Sequence, residues 1–323
     1  MLSIKNWIIA LLCCSCLSAW AAEPPKPQAP APDGIEVGVY LVNVPAVNLK
    51  EKKFQLDFYL WFRWKNDELD PMENFEIVNG HVDGKESVKK RKAGGYNYSS
   101  ARISATIYRN FVLNRYPLDD QALKLQIENA GGAGTMPPYI PDKAQSGVSA
   151  KIDVPGWRVQ GFEGYASTTK YPTTFGDPEA AGQKESQVQR YTFAVNLKRA
   201  GWGNFIKLFS ILFLAAGLAF NAFRIPSDAI DARIAFAASA VFMAVLTQSA
   251  LSATLPETDT FGMADLLYNA TMGFIAASFV LIVYTYRVSE QGNAAHAETV
   301  SRQAGWSLTV LYLLAVPAIV LLA

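Results

Sequence analysis

The side chains able to do covalent or metal chemistry are few and poorly placed for it. Cys13, Cys14 and Cys16, the three cysteines, lie near the start, and His81 and His296 are the two histidines. Zinc sites, thiolate nucleophiles and Ser-His-Asp triads need such residues clustered. Counting leaves open chemistry run by carboxylates alone, but the neighbours Asp119 and Asp120 would point to opposite faces of a strand. A different pattern stands out near the C-terminus. Ser239, Thr247, Gln248, Ser249, Ser252 and Thr254 punctuate a stretch that is uncharged from Ile234 to Leu255. Lipid-facing helices rarely hold so many hydroxyls and amides, whereas a helix lining water holds them readily. Steps of four and three residues put Asp231, Ala235, Ser239, Phe242, Leu246, Ser249 and Ala253 on one helical face.

The elements that position these residues follow from hydropathy. The chain has 323 residues, half of them hydrophobic, 18% charged, with a net charge of +1. So even a balance argues against a nucleic-acid partner, which draws a basic surface to its phosphates. Four apolar segments, at 203–223, 230–255, 264–286 and 304–323, each approach the ~20 residues needed to cross a bilayer core. Lys207, the internal charge of the first, sits near its start and can snorkel. Arg224 and Arg233 flank the turn from the first segment into the second, Arg287 and Arg302 fall between the last two, and Pro256-Glu257-Thr258-Asp259-Thr260 lacks Lys and Arg. That asymmetry places the middle connection outside. Arg233, two residues past Asp231, is expected to face phospholipid or a neighbouring subunit, and 287–303 is expected to be a short connecting stretch.

Residues 1–21 read as a signal peptide. Lys5 supplies the positive start, Trp7 to Leu17 the apolar stretch and Ala19-Trp20-Ala21 a small-x-small cleavage site. A proline-rich leader follows over 22–34. From there to Arg199 the period is two. Phe54, Leu56, Phe58, Leu60, Phe62 and Trp64 alternate with Gln55, Asp57, Tyr59, Trp61 and Arg63. Similar runs at Glu36–Val44, Ala101–Tyr108, Ala122–Glu128, Trp157–Tyr165 and Gln187–Leu197 alternate with Gly-, Pro- and Asn-rich connections. Many short strands without a convincing helix predict a β-sandwich over 35–199, ahead of a four-helix transmembrane domain over 200–323.

Three local signatures sharpen this organisation. Tyr116-Pro117-Leu118-Asp119-Asp120-Gln121 resembles the aromatic-Pro-aromatic-Asp-x-Gln turn of pentameric ligand-gated ion channels, with Leu118 where an aromatic is usual. Phe62-Arg63-Trp64-Lys65-Asn66 resembles their second-strand motif, and Lys198-Arg199 the basic pair before their first helix. The second apolar segment ends in Leu255-Pro256, as the family's pore helix also ends in a proline. The resemblance spans about 35–323. No cysteines flank the turn, as in bacterial members, and the first span lacks the proline that most members carry.

The resemblance implies a homopentamer around a pore lined by the second helix, in a bacterial inner membrane, with the β domain in the periplasm and both mature termini outside. Setting Pro256 at the family's proline selects the same face, Asp231 to Ala253, as the helical steps do. Asp231 would form a ring of carboxylates favouring monovalent cations, and Phe242 and Leu246 would form apolar rings that stop ions by dewetting. For the agonist the resemblance singles out Tyr59, Glu76 and Glu128, with Tyr171 and Phe175 in a capping connection over Lys170–Lys184; Ala130 stands where amine-gated members have an aromatic. Carboxylates among aromatic faces suit a protonated primary amine, and protons are the other agonist considered. Coupling would run through Asn48, Pro117, Asp119, Arg199 and Pro256, with Val47–Lys50 and Tyr116–Asp119 pressing on 255–260 and Asp119 pairing with Arg199. Membrane lipid is an expected partner; no cofactor or metal is expected. Two other classes compete: a non-conducting, membrane-anchored periplasmic sensor, and an envelope enzyme using paired carboxylates.

Overall fold

The computed structural model describes residues 34–129, 137–178, 182–257 and 260–322. The expected signal peptide, nearly all of the leader, and Ala130 lie outside the described residues. In chain order the elements are β1 Ile35–Asn48, β2 Lys53–Trp64, the short helix α1 Pro71–Asn74, β3 Phe75–Ile77, β4 Gly80–Ala93, β5 Tyr96–Tyr108, β6 Asp120–Asn129, β7 Tyr139–Pro141, β8 Gly147–Val148, β9 Trp157–Tyr171 and β10 Ser186–Arg199. Four long helices follow: α2 Gly201–Ala222, α3 Ile230–Thr254, α4 Met263–Glu290 and α5 Ala294–Leu322.

The strands form two sheets. One runs β4-β5-β2-β1-β7, with β8 also on β1; the other runs β3-β6-β10-β9. Alternation decides the inward faces. Phe54, Leu56, Phe58, Leu60, Phe62 and Trp64 of β2 are all buried, as are Leu123, Leu125 and Ile127 of β6 and Tyr191, Phe193, Val195 and Leu197 of β10. Both sets belong to one continuous core, as a sandwich requires. Each such side chain contributes roughly 1.5–3 kcal/mol relative to exposure, and shifting β2 by one residue would turn its whole apolar face to solvent.

β4 has no counterpart in the strand reading. Its sequence, GHVDGKESVKKRKA, is half-buried at best, so there is no apolar alternation to find. It is an edge strand whose lysines blunt further pairing, and its register to β5 slips between Val82 and Gly84 and between Glu86 and Lys89. Lys90 Nζ reaches Asp70 at 2.8 Å and Lys92 Nζ reaches Asp67 at 2.6 Å, so its charge is largely answered locally.

The four helices are each long and apolar enough to cross a membrane, with mean hydropathies of 1.8 to 2.1. The protein is therefore membrane-embedded. The last helix corrects the sequence reading. α4 runs to Glu290 and α5 begins at Ala294, so the stretch expected to connect them over 287–303 is nearly all helix. Ala294-Ala295-His296-Ala297-Glu298 favours helix without being apolar; hydropathy locates the span, not the helix end.

Candidate functional site

Three places hold the residues singled out above: the outer face of the β3-β6-β10-β9 sheet, the junction between sheets and helices, and one face of α3. In the sheet, register builds the site. Glu76 of β3 lies directly across from Glu128 of β6, which lies across from Arg190 of β10. Two carboxylates facing each other across strands repel, and Arg190 offsets this. Its Nε donates to Glu128 Oε1 at 2.6 Å, and its Nη2 donates to the Tyr171 hydroxyl at 2.8 Å. The Tyr171 hydroxyl donates in turn to the Glu128 carboxylate, 3.2 and 3.1 Å from its two oxygens. Glu128 is only 2% exposed. Burial, then the bond to Glu128, raises the pKa of the Tyr171 phenol above its ordinary value.

Glu76, Glu128, Tyr171 and Phe175 line one cavity of about 630 Å³, with Asp177 and Ser186 beside them. Tyr171 is the last residue of β9 rather than part of the connection, which begins one residue later. The Phe175 ring meets Tyr171 edge-on at 5.3 Å and is 71% exposed. Its φ of 56° lies in the left-handed region, a genuine outlier for a bulky residue. Thr174 O accepts from Asp177 N across it at 3.1 Å, so a tight turn holds the ring at the rim. Glu76 makes no hydrogen bond or ion pair among the described residues, so it is the unengaged carboxylate; Glu128 already has its cation. Arg190 escaped the sequence reading, because a lone arginine in a strand acquires meaning only when register sets it opposite an acid.

Tyr59 does not join this cavity. It lies on β2, in the other sheet, across from Tyr40 and Arg102, and its ring is exposed. Next to it Arg102 makes a two-pronged pair with Asp57, Nε to Oδ1 at 2.9 Å and Nη2 to Oδ2 at 2.5 Å.

At the junction the Asp119–Arg199 pair is formed. Arg199 Nε donates to Asp119 Oδ1 at 2.6 Å and Nη2 to Oδ2 at 3.2 Å, and Gln121 Nε2 donates to the same Oδ2 at 2.8 Å. The guanidinium lies over Trp157 and Tyr116, 4.0 and 4.8 Å from their centroids. Both charged side chains are nearly buried, so breaking the pair from one side would cost about 3–5 kcal/mol.

Of the two stretches expected at the α3–α4 connection, Val47–Lys50 reaches it through Lys50, and Leu113 and Asn114 stand there in place of Tyr116–Asp119. Lys50 Nζ donates to Ser252 O at 2.8 Å, capping the C-terminal end of α3, while Asn48 closes its own turn by accepting from Glu51 N at 2.9 Å. Asn114 O accepts from Met263 N at 2.7 Å. A Cβ on Gly262 would come within 3.2 Å of Leu113 O, so glycine permits the approach. Pro256 lines a cavity with Lys50, Leu113 and Asn114. Tyr116 and Pro117 instead border α2, in a separate cavity with Arg199, Asn204, Lys207 and Leu208.

On α3 every residue of the Asp231, Ala235, Ser239, Phe242, Leu246, Ser249, Ala253 set is exposed, Phe242 by 65% and Leu246 by 47%. The buried residues are Arg233, Ala237, Ala240, Ala244, Thr247 and Leu251, the opposite stripe. Small residues there let α2 and α4 come close. Ser239 Oγ donates to Ala235 O at 2.8 Å and Thr254 Oγ1 to Ala250 O at 3.0 Å, so these hydroxyls satisfy themselves on their own helix.

Arg233 corrects the expectation that it meets lipid or a neighbour. It is fully buried inside the bundle. Its Nε and Nη2 donate to Ile225 O at 2.9 and 2.6 Å, its Nη1 to Thr285 Oγ1 at 2.9 Å, and its Nη2 to Ser301 Oγ at 2.9 Å. Two residues on a helix are about 200° apart, so an exposed Asp231 sends Arg233 inward. It ties the α2–α3 turn to α4 and α5. Glu298 Oε1 completes that end by accepting from Ser227 N at 2.8 Å.

A scan against protein-family models finds no match to this chain, and a search of the curated proteins finds none either.

Proposed function

We propose that the chain is one subunit of a pentameric, agonist-gated, cation-selective channel of a bacterial inner membrane, with the two-sheet unit outside. The observation that carries this reading is the division of α3. Its packed stripe is mostly alanine, with Arg233, Thr247 and Leu251, while every residue of the set from Asp231 to Ala253 is exposed. An apolar helix that leaves an acid, two serines and a phenylalanine on one free line suits a water-filled axis shared with identical copies. Asp231 would draw cations at one mouth, and Phe242 and Leu246 would form the apolar constriction.

The agonist on this reading is a small protonated amine seated on the sheet cavity. Glu76 supplies its carboxylate and Phe175 its aromatic rim, while Tyr59 of an adjacent copy faces it. Glu128 is redefined by Arg190: it braces the base of the capping connection instead of reading the ligand's charge.

Currents from purified protein in planar bilayers, recorded while pH is stepped and propylamine is added, test this. An amine-evoked current carried by cations is expected. Current evoked by acid alone would keep the channel and replace the agonist; silence from intact pentamers would favour the non-conducting sensor.

A further inference from the structure

The outer face of the first sheet carries a flat aromatic ring and, beside it, two cations that no acid answers. Trp61 of β2 lies across from Gly38 of β1. A Cβ on Gly38 would come within 2.2 Å of the indole Cζ2 and 2.3 Å of its Cε2, so the glycine lets the ring lie flat on the neighbouring strand. The indole N–H donates to Asp142 Oδ2 at 3.2 Å, which fixes the ring's angle, and the side chain is half-buried. On the side away from Gly38, Trp61 lies across from Ser100 of β5, and Ser100 across from Lys89 of β4. At ~4.8 Å per strand, Lys89 stands about 10 Å from the tryptophan. Arg91 follows two residues on, on the same face, its guanidinium 4.7 Å from the centroid of Tyr98. Lys89 and Arg91 have no hydrogen bond or ion pair among the described residues. The acids nearby are engaged: Glu36 pairs with Arg63 and Asp57 with Arg102, and Glu86 lies across from Arg102. Lys90 and Lys92, on the opposite face, reach Asp70 and Asp67.

We propose that this face binds an acidic polysaccharide, a chain of carboxylated sugars, with one sugar ring stacked on Trp61 and the carboxylates of its neighbours held by Lys89 and Arg91. A pyranose presents a face of C–H groups, which suits a flat, immobilised indole. Cations with no acid of their own match its charges. Ser100 on one side of the ring and the Glu36–Arg63 pair on the other offer donors and acceptors to sugar hydroxyls. An acidic peptide would meet the cations but leave the flat indole without a matching surface. The proposal rests on the sheets lying outside the membrane and not on ion conduction, and it shares no residue with the amine cavity.

The test titrates tetragalacturonic acid, a carboxylated tetrasaccharide, into the full-length, detergent-solubilised protein by isothermal titration calorimetry, with neutral maltotetraose and tetraglutamate as the comparisons. Wild type should bind the carboxylated sugar about tenfold more tightly than either, and the margin over maltotetraose should shrink as salt is raised. Trp61→Leu should lose about tenfold in affinity, ~1.4 kcal/mol. The double variant Lys89→Gln, Arg91→Gln should lose as much and with it the salt dependence, while Lys89→Arg keeps wild-type binding. Unchanged unfolding temperature shows that these variants fold. Equal binding by Trp61→Leu and wild type overturns the proposal, as does no binding by wild type. Equal binding of maltotetraose overturns the role of the cations and the proposal with it. Equal binding of tetraglutamate would mark a surface for acidic protein chains and overturn it too. A change of oligomer size in the double variant with no loss of sugar also overturns it, since that face would then meet a second copy.

Discussion

The two regions differ in how far one chain can finish them. In the sheets each large side chain of β2, β6 and β10 that points inward is covered, and the two most deeply buried carboxylates, Glu128 and Asp119, each have an arginine of their own. In the helices Phe205, Phe209, Leu267, Phe274 and Ile282 are buried, yet Phe242, Leu246, Val245, Leu311, Leu313 and Leu314 stay exposed. The physical reason is solvent. A sheet unit in water must hide its apolar surface within itself, whereas membrane helices leave theirs to lipid and to further copies. The exceptions are instructive. Glu76 is the carboxylate of the sheet site with no hydrogen bond or ion pair among the described residues, and Arg233 is a buried helix charge satisfied by a carbonyl and two hydroxyls instead of an acid. The first suits a ligand; the second suits structure.

The comparison breaks most visibly at the junction. Arg199→Ala should leave Asp119 buried and unanswered and remove about 3–5 kcal/mol of stability, read as a large fall in unfolding temperature or as failure to assemble; an unshifted transition would mean the pair is not structural. Glu128→Gln should cost less, about 1–3 kcal/mol, by orphaning Arg190, and hydrogen exchange should rise through the 172–185 connection. Glu76→Gln should change stability by no more than about 0.5 kcal/mol, yet raise the propylamine concentration needed for half-maximal current about tenfold, ~1.4 kcal/mol. If the two glutamate substitutions behave alike, the division between brace and ligand carboxylate is wrong. Asp231→Ala should be similarly silent in stability and move the reversal potential in a salt gradient toward anions; no movement would remove Asp231 from selectivity.

The smallest effect at neutral pH belongs to Tyr191, whose fully buried phenol is pushed up to about 12 by burial. A phenol held neutral in the fold contributes stability below its ordinary pKa near 10 and loses that contribution as pH rises toward 12. Unfolding temperatures should therefore hold steady to about pH 9 and fall above 10, with Tyr191→Phe flattening the fall.

Much of this was legible in residue order because it rests on periodicity, which is local. Period two in Phe54 to Trp64 decides which side of β2 is core, and steps of three and four from Asp231 decide which side of α3 carries the acid and Phe242. Hydropathy alone counts the four membrane helices. What tertiary structure decided is every relation across the chain. Register set Arg190 opposite Glu128 and so separated two glutamates that look equivalent in sequence. Helix packing turned Arg233 into a buried clasp. The fold also placed Lys207 and Asn204 beside Pro117, far from them in the sequence. Cross-strand register and helix contact depend on which surfaces meet, and no periodicity within a single element encodes its partner.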